Sequence, residues 1–579
     1  MACDRVQLSG RSAKLVTTLI ASLILFGCAE TQQTYSSNPT EIPEGVLITG
    51  SLIRGGGASS PYPPPAVSLR HPGARPAPAP APAPPPAAAY WQYQNTENYP
   101  HARPNAVKVT ADEAVSTFSV DVDTAAYANV RRFLNDGVLP PADAVRVEEM
   151  INYFDYAYAP PGDRSAPFGT TIAVYPTPWS RDTHILHIGI KGFELPRRER
   201  PRSNLVFLID TSGSMEAANK LPLLKRSFRM LVNELRPEDR VAIVTYAGTV
   251  DIALHSTSGA DKTRILNAID RLRADGGTAG GEGIQIAYAL AKENFDRYGI
   301  NRVLLATDGD FNVGITDPNV LEDFVARERK NDIFLTVLGF GTGNYKDAMM
   351  QKLAQAGNGV AAYIDTLNEA RKVFVDDLGS TLFTIAKDVK IQVEFNPARV
   401  AEYRLIGYET RTLNRSDFNN DKVDAGDVGS GHSVTALYEI TPVGSRTRSA
   451  DPLRYGANTV ASAAALNDEI AFVKIRYKLP SEDESRLIMR AIDDRDVETE
   501  FAAVPLDLRF AAAVAGVGQL LRRDPSIEDF DFDRAISIAQ AARGEDPFGY
   551  RAEFVQLLRT AQSAEGFRTF SRSSYGGRR

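Results

Sequence analysis

Short apolar runs at 205–209, 241–246, 250–254, 303–306, 333–338 and 361–364 alternate with stretches whose apolar positions return every three or four residues: 223–235, 263–272, 283–295, 319–330, 346–356 and 368–381. Continuous apolar runs suit strands covered on both faces, and the 3.6-residue return suits helices that cover them. This rhythm predicts a doubly wound α/β domain. On either side lie further strand-like segments, at 170–175 and 184–190 before the domain and at 389–395, 434–440 and 469–477 after it, several of which alternate apolar and polar residues. Such alternation fits half-buried antiparallel strands. The economical arrangement is one β-sandwich into which the α/β domain is inserted; two separate small β units satisfy the same pattern. Residues 111–158 read as mostly helical, with helices over 125–134 and 144–154 separated by Pro140-Pro141, and the C-terminal stretches 506–521 and 532–561 carry a helical apolar stripe.

In doubly wound sheets ligands bind beyond the carboxyl ends of the strands. Three polar loops fall there: Asp210-Thr211-Ser212-Gly213-Ser214 after the run 205–209, Gly276-Gly277-Thr278, and Thr307-Asp308-Gly309-Asp310 after the run 302–306. One carboxylate and two hydroxyls at alternate positions form a set of hard oxygen donors suited to Mg²⁺, which keeps near-octahedral geometry and gives up its waters reluctantly. An N-cap and turn explains the first loop alone equally well; the second and third loops tip the balance to a cation. Here the sequence resembles the von Willebrand factor type A (VWA) domain and its metal-ion-dependent adhesion site, with a match at Asp210, Ser212, Ser214, Thr278 and Asp308. The resemblance implies that Ser212, Ser214 and sometimes Thr278 ligate the ion directly, that Asp210 and Asp308 act directly or through water, and that an Asp or Glu of a protein partner takes the open position. Mg²⁺ is the expected ion, with Mn²⁺ or Ca²⁺ as alternatives.

A second resemblance is more specific. Phe118-Ser119-Val120-Asp121-Val122-Asp123-Thr124-Ala125-Ala126-Tyr127, continuing to Arg131-Arg132-Phe133-Leu134 and then Arg146-Val147-Glu148-Glu149-Met150-Ile151-Asn152-Tyr153-Phe154, is similar to the N-terminal module of the YfbK-like bacterial lipoproteins. The likeness extends over about residues 110–560.

The chain has 579 residues, 43% of them hydrophobic and 24% charged, with a net charge of −7. That is material for several packed units, and an acidic balance disfavours nucleic acid as a partner. A basic N-terminus, an apolar run at 15–26 and Gly27-Cys28 have the layout of an export signal, and Leu25-Phe26-Gly27-Cys28 resembles a bacterial lipobox. Lipidation is therefore expected at Cys28, leaving the processed chain without a disulfide, since Cys3 and Cys28 are the two cysteines. Ala29 rather than Asp follows Cys28, which by analogy with enteric sorting directs the chain to the outer membrane of a Gram-negative envelope, facing periplasm or surface. Residues 55–104 are rich in Pro, Gly and Ala; as polyproline II, fifty such residues reach on the order of 150 Å.

The chain is accordingly divided into a signal peptide (1–27), a disordered tether (28–110), the family N-terminal module (111–200), the VWA domain (201–383), a β-rich domain (384–505), a helical segment (506–565) and a disordered tail (566–579). The acidic run 417–427 begins like a calcium loop but has Lys422 and Val428 where such a loop needs Gly and Glu, so a polar turn is expected. His184 and His187 lack the spacing of a zinc pair on one strand face, and no nucleophile elbow or phosphate loop is present. The expectation is a membrane-anchored, non-enzymatic lipoprotein that binds a protein through its cation. A structural envelope scaffold with a merely structural ion is the alternative, and a metal-assisted hydrolase using Asp310 as base ranks third.

Overall fold

In the computed structural model the described residues are 97–576 apart from 102, 121–122, 277–281, 310–316, 451–467 and 528. The readings made for the signal peptide, Cys28, the Pro-rich stretch up to residue 96, Thr278 and Asp310 lie outside them.

The central sheet runs in the order Ala361–Ile364, Ile333–Phe340, Ile300–Thr307, Ser203–Asp210, Arg240–Tyr246, Val250–Ser258. The first five are mutually parallel and the last is antiparallel. Leu205, Phe207 and Ile209 enter one apolar cluster while Val206 and Leu208 enter the other. Period-two geometry with helices on both faces therefore turns an alternating strand into an unbroken apolar run. The order reverses at Ser203–Asp210, which places a switch-point crevice between its carboxyl end and that of Ile300–Thr307.

Two further sheets form a sandwich around this domain's points of entry and exit. One is ordered Lys108–Val109, Val400–Ile406, Ser433–Pro442, His184–Gly192, Phe168–Pro176; the other is ordered Gly426–Gly429, Thr384–Phe395, Ala471–Lys478, Arg486–Ile492, with Val115–Ser119 also paired to Thr384–Phe395. Ile172, Leu186 and Val434 from the first sheet meet Ile391, Val393 and Val473 from the second in one core. Strands from both sides of the α/β domain share a sheet, so the single sandwich with an insertion is the arrangement adopted. Helices Ala125–Asn135, Val147–Asn152, Leu506–Arg522, Phe532–Ala541 and Tyr550–Gly576 belong to a separate cluster that also takes in Tyr175, Ile185 and Leu437 of the first sheet.

Six expectations are corrected. The stretch expected to be a disordered tether up to 110 is ordered from 97, with Lys108–Val109 paired to Val400–Ile406. The tail expected to be disordered from 566 continues the helix Tyr550–Gly576. Residues 115–119 are a strand inside the stretch read as mostly helical; their polar side chains are buried against partners distant in sequence, with Tyr438 donating to Ser116 Oγ (2.9 Å) and Gln392 to Thr117 Oγ1 (3.0 Å). The strands Val400–Ile406 and Arg486–Ile492 were absent from the sequence pattern. The helix expected over 368–381 is three pieces, Leu367–Arg371, a π-helical Lys372–Asp376 and Leu378–Leu382. That segment is gripped on two sides, Val373 and Phe374 by the α/β core and the Lys372 ammonium by the rings of Tyr153 (4.9 Å) and Tyr550 (5.2 Å). Finally, the C-terminal helix breaks at Gly544 and Gly549, both with positive φ, and Asp546 accepts from the N–H groups of Arg551 and Ala552 at the new helix start.

The acidic run 417–427 behaves as a polar turn: Asn414 and Asp417 form a reciprocal cap, Asp421 binds Arg476, and Asp424 binds Arg329 of the α/β domain (2.6 Å). Asp427 lines a cavity of about 230 Å³ between that domain and the sandwich, near Arg302. Burial, followed by the charges of Asp388 and Asp424, pushes its pKa up to about 7 from an ordinary 3.8. The stability this contributes is complete below pH 3.8 and lost as pH rises to about 7, since above that the fold must hold a carboxylate the unfolded chain ionises freely. Asp427→Asn is expected to stabilise the fold at pH 8 by about 1–2 kcal/mol, seen as a higher melting temperature, and to leave the melting temperature unchanged at pH 4. Thermal melts at the two pH values check this; an equal shift at both contradicts the assignment.

Candidate metal centre

The crevice at the switch point is built from two strand ends. Asp210 is the last residue of its strand and is fully buried, as is Asp308, which directly follows Thr307. Asp210 accepts from the Ser212 N–H (2.9 Å) through one carboxylate oxygen and from Thr307 Oγ1 (3.5 Å) through the other. The Thr307 hydroxyl in turn accepts from the Gly309 N–H (3.1 Å). The loop is pinned further by backbone bonds from Thr211 to Tyr246 (2.9 Å), from Gly213 to Gly276 (3.1 Å) and from Asp275 to Thr211 (2.9 Å). These last two bring the loop that leads toward Thr278 against the first one; Thr278 itself lies outside the described residues.

Ser212 is buried and Ser214 exposed, with their hydroxyl oxygens 2.9 Å apart. For Mg–O bonds of about 2.0–2.1 Å, adjacent corners of an octahedron are about 2.9 Å apart. The two hydroxyls are hydrogen-bonded to each other, and the distance between them is also that of neighbouring ligands of such an ion. Among the described residues no group of three or more His, Cys, Asp or Glu is assembled to hold a metal, so a cation here depends on hydroxyl as well as carboxylate oxygens. That donor set fits Mg²⁺ or Mn²⁺ and offers nothing soft enough to prefer copper. If occupied, Ser212 and Ser214 would hold the ion beside the Asp210 and Asp308 carboxylates, leaving a face toward solvent.

A residue that sequence reasoning missed sits in this crevice. Lys220 donates its ammonium to Asp308 Oδ2 (2.8 Å) and to Asn344 Oδ1 (3.4 Å), with side-chain exposures of 10% and 0% for the lysine and the aspartate. Burial works against ionisation of Asp308, but hydrogen bonds from Lys220 and Ser214 outweigh it and hold the carboxyl below its usual range. Nothing in a single lysine beyond the serines announces this; the loop 341–346 that supplies Asn344 is remote in sequence.

His187, weighed for zinc, lies between the hydroxyls of Tyr158 (2.7 Å) and Tyr175 (3.0 Å), and burial lowers its pKa to about 3. It is buried on the face of the first sheet that packs against the helical cluster, beside Tyr158 and Tyr175. Among the described residues no helix is long and apolar enough to cross a membrane.

The family models divide the chain along the same lines. Residues 204–376 match the von Willebrand factor type A domain, 93–187 match a von Willebrand factor family, and 380–564 match the C-terminal region of uncharacterized protein YfbK. The "Uncharacterized protein YfbK" of Escherichia coli K12 is 47% identical over 472 residues, which span 80% of this chain and 81% of that protein. The chain belongs to the YfbK family. A stretch of the chain is also similar to inter alpha-trypsin inhibitor heavy chain 4 of mouse, 29% identical over 174 residues that cover 28% of this chain and 18% of that one. Among solved structures, a von Willebrand factor type A protein from Catenulispora acidiphila aligns with 70% of this chain and 91% of its own, at 16% identity and a TM-score of 0.39. In this YfbK-family chain the VWA match ends at the π-helical turn and the family's C-terminal match begins within the helix that follows.

Proposed function

We propose that this chain is a lipid-anchored envelope protein that binds a protein partner through a divalent cation, Mg²⁺ with Mn²⁺ or Ca²⁺ as substitutes. Ser212 and Ser214 ligate the ion, Asp210 and Asp308 hold it directly or through water, Thr278 completes the set, and an Asp or Glu of the partner takes the outward position. The observation that carries the reading is the pair of hydroxyl oxygens at octahedral-edge spacing, one buried and one exposed, beside two buried carboxylates at the switch point. VWA domains serve in general as interaction modules, which supports binding over catalysis. Both nearby carboxylates are occupied in holding structure: Asp210 caps its own loop and Asp308 binds Lys220. Cys28 is the proposed lipidation site, and the Pro/Ala-rich stretch behind it the spacer from an outer membrane.

Full-length protein, immobilised and exposed to envelope extract with 1 mM-scale Mg²⁺ or with EDTA, tests this. Capture of an envelope protein in Mg²⁺ and its loss in EDTA is expected, with Ser212→Ala behaving like EDTA. Equal capture under both conditions overturns the adhesive role and favours a scaffold held together by its β and helical parts.

A further inference from the structure

Residues 97–101 cross the loop 341–346, which borders the metal crevice. The Glu97 carboxylate accepts from the Gly343 N–H (2.9 Å) and from Arg132 (2.9 Å), and its side chain is only 2% exposed. Asn98 donates its N–H to the Tyr345 carbonyl (3.1 Å) and accepts at its own carbonyl from Ala348 (3.4 Å). Tyr99 donates to Glu97 (3.0 Å), accepts from Arg132 (3.0 Å), and lays its ring beside Phe133 and Tyr345. Three consecutive residues are thus fastened to one loop and to the helix Ala125–Asn135.

That loop in turn fixes the lysine in the crevice. Asn344 accepts from the Lys220 ammonium, and Gly341, at φ +77°, lies so close to the lysine stem that a Cβ there would stand 2.4 Å from its carbons. The Asp308 turn leans on the same loop: a Cβ on Gly309 (φ +110°) would meet the Asn344 carbonyl at 2.4 Å. A continuous packed path therefore runs from Glu97 through residues 341–346 to Lys220 and Asp308.

We propose that residues 97–101 are a strap that holds Lys220 on Asp308 as a built-in competitor of the metal ion, so that releasing the strap raises metal affinity. This rests on the metal reading given above. A fixed ammonium beside a dication site repels the dication and occupies a carboxylate oxygen that it would use. Freed from Asn344, the long lysine side chain can swing to solvent and leave Asp308 to the ion. Glu97 lies near the C-terminal end of the stretch 55–104 proposed as the membrane spacer, so a pull along the residues before it loads the strap.

The test uses Mn²⁺ binding by full-length protein, followed by electron paramagnetic resonance and calorimetry, for wild type, Asp210→Ala, Lys220→Met, Glu97→Ala and the Lys220→Met/Glu97→Ala double variant. Lys220→Met is expected to bind Mn²⁺ about tenfold or more tightly than wild type. Glu97→Ala is expected to tighten binding about threefold or more alone and to add nothing in the Lys220→Met background, because it acts through that lysine. Unchanged or weaker binding by Lys220→Met overturns the proposal, as does a Glu97→Ala effect that persists undiminished in the double variant. Should Lys220→Met fail to fold, Glu97→Ala decides alone, and an affinity equal to wild type overturns it. If neither wild type nor Lys220→Met binds Mn²⁺ above Asp210→Ala, the metal reading itself falls, which is a different result from a working site indifferent to the strap.

Discussion

Arg131→Met is expected to destabilise the protein by about 3–5 kcal/mol, the range for breaking a buried ion pair by removing one partner. The Arg131 side chain is fully buried in the helix Ala125–Asn135. Its guanidinium binds Asp365 through Nε (2.9 Å) and Nη2, Glu369 through Nη2 (2.7 Å), and the Tyr153 hydroxyl (2.9 Å) and Glu553 (3.3 Å) through Nη1. One side chain thereby joins the N-terminal module, the end of the VWA domain and the C-terminal helix. Removing it deprives Asp365 and Glu369, whose side chains are 7% and 1% exposed, of the guanidinium that pairs them, and leaves Glu369 only the charge of Lys372, itself engaged by Asp377. Burial already pushes the Glu369 carboxyl upward against the pull of Arg131, so without the arginine it protonates or the region opens. Arg131→Lys is expected to recover only a part, because one ammonium cannot reproduce a planar fork with several acceptors. Urea unfolding of wild type and both variants measures this; a loss below about 1 kcal/mol for Arg131→Met contradicts the keystone role.

Asp210→Ala is expected to weaken Mn²⁺ binding at least a hundredfold, about 2.7 kcal/mol, and to abolish cation-dependent capture of a partner. Asp210 does two things that no neighbour can take over. Its carboxylate caps the Ser212 N–H, which sets the loop that brings the two serine hydroxyls to 2.9 Å, and it supplies negative charge in a fully buried position. The cost to the fold is expected to be smaller, about 1–2 kcal/mol, the scale of a buried hydrogen-bond partner lost. Circular dichroism should therefore show a folded protein that has lost its ion. A variant that retains wild-type Mn²⁺ affinity would remove Asp210 from the site.

The VWA domain was legible because its signals are local. Strands covered on both faces need continuous apolar runs, covering helices need the 3.6-residue return, and Leu205 through Ile209 and their sequels display both without reference to any distant residue. The loop Asp210 to Ser214 was legible for the same reason, since donor atoms at alternate positions of one loop can be counted along the chain. The strand 115–119 was not, because Ser116, Thr117 and Ser119 are polar and yet buried, a combination that becomes acceptable only when Tyr438, Gln392 and Gly426 arrive as hydrogen-bond partners. The broken helix after Ile364 was hidden likewise, since its π turn answers to Tyr153 and Tyr550, far away on either side in sequence.

The sequence by itself determined the class of fold, the family and the kind of atoms gathered in the loop after Ile209, since each depends on residue type at short range. Only the tertiary structure decided that the flanking strands close into one sandwich, that Arg131 and its carboxylates lock three parts together, and that Lys220 stands on Asp308 beneath a strap from residues 97–101. The reason lies in range: hydrogen bonds and charge pairs between residues tens to hundreds of positions apart follow from the path of the backbone, which leaves no periodic trace in the order of amino acids.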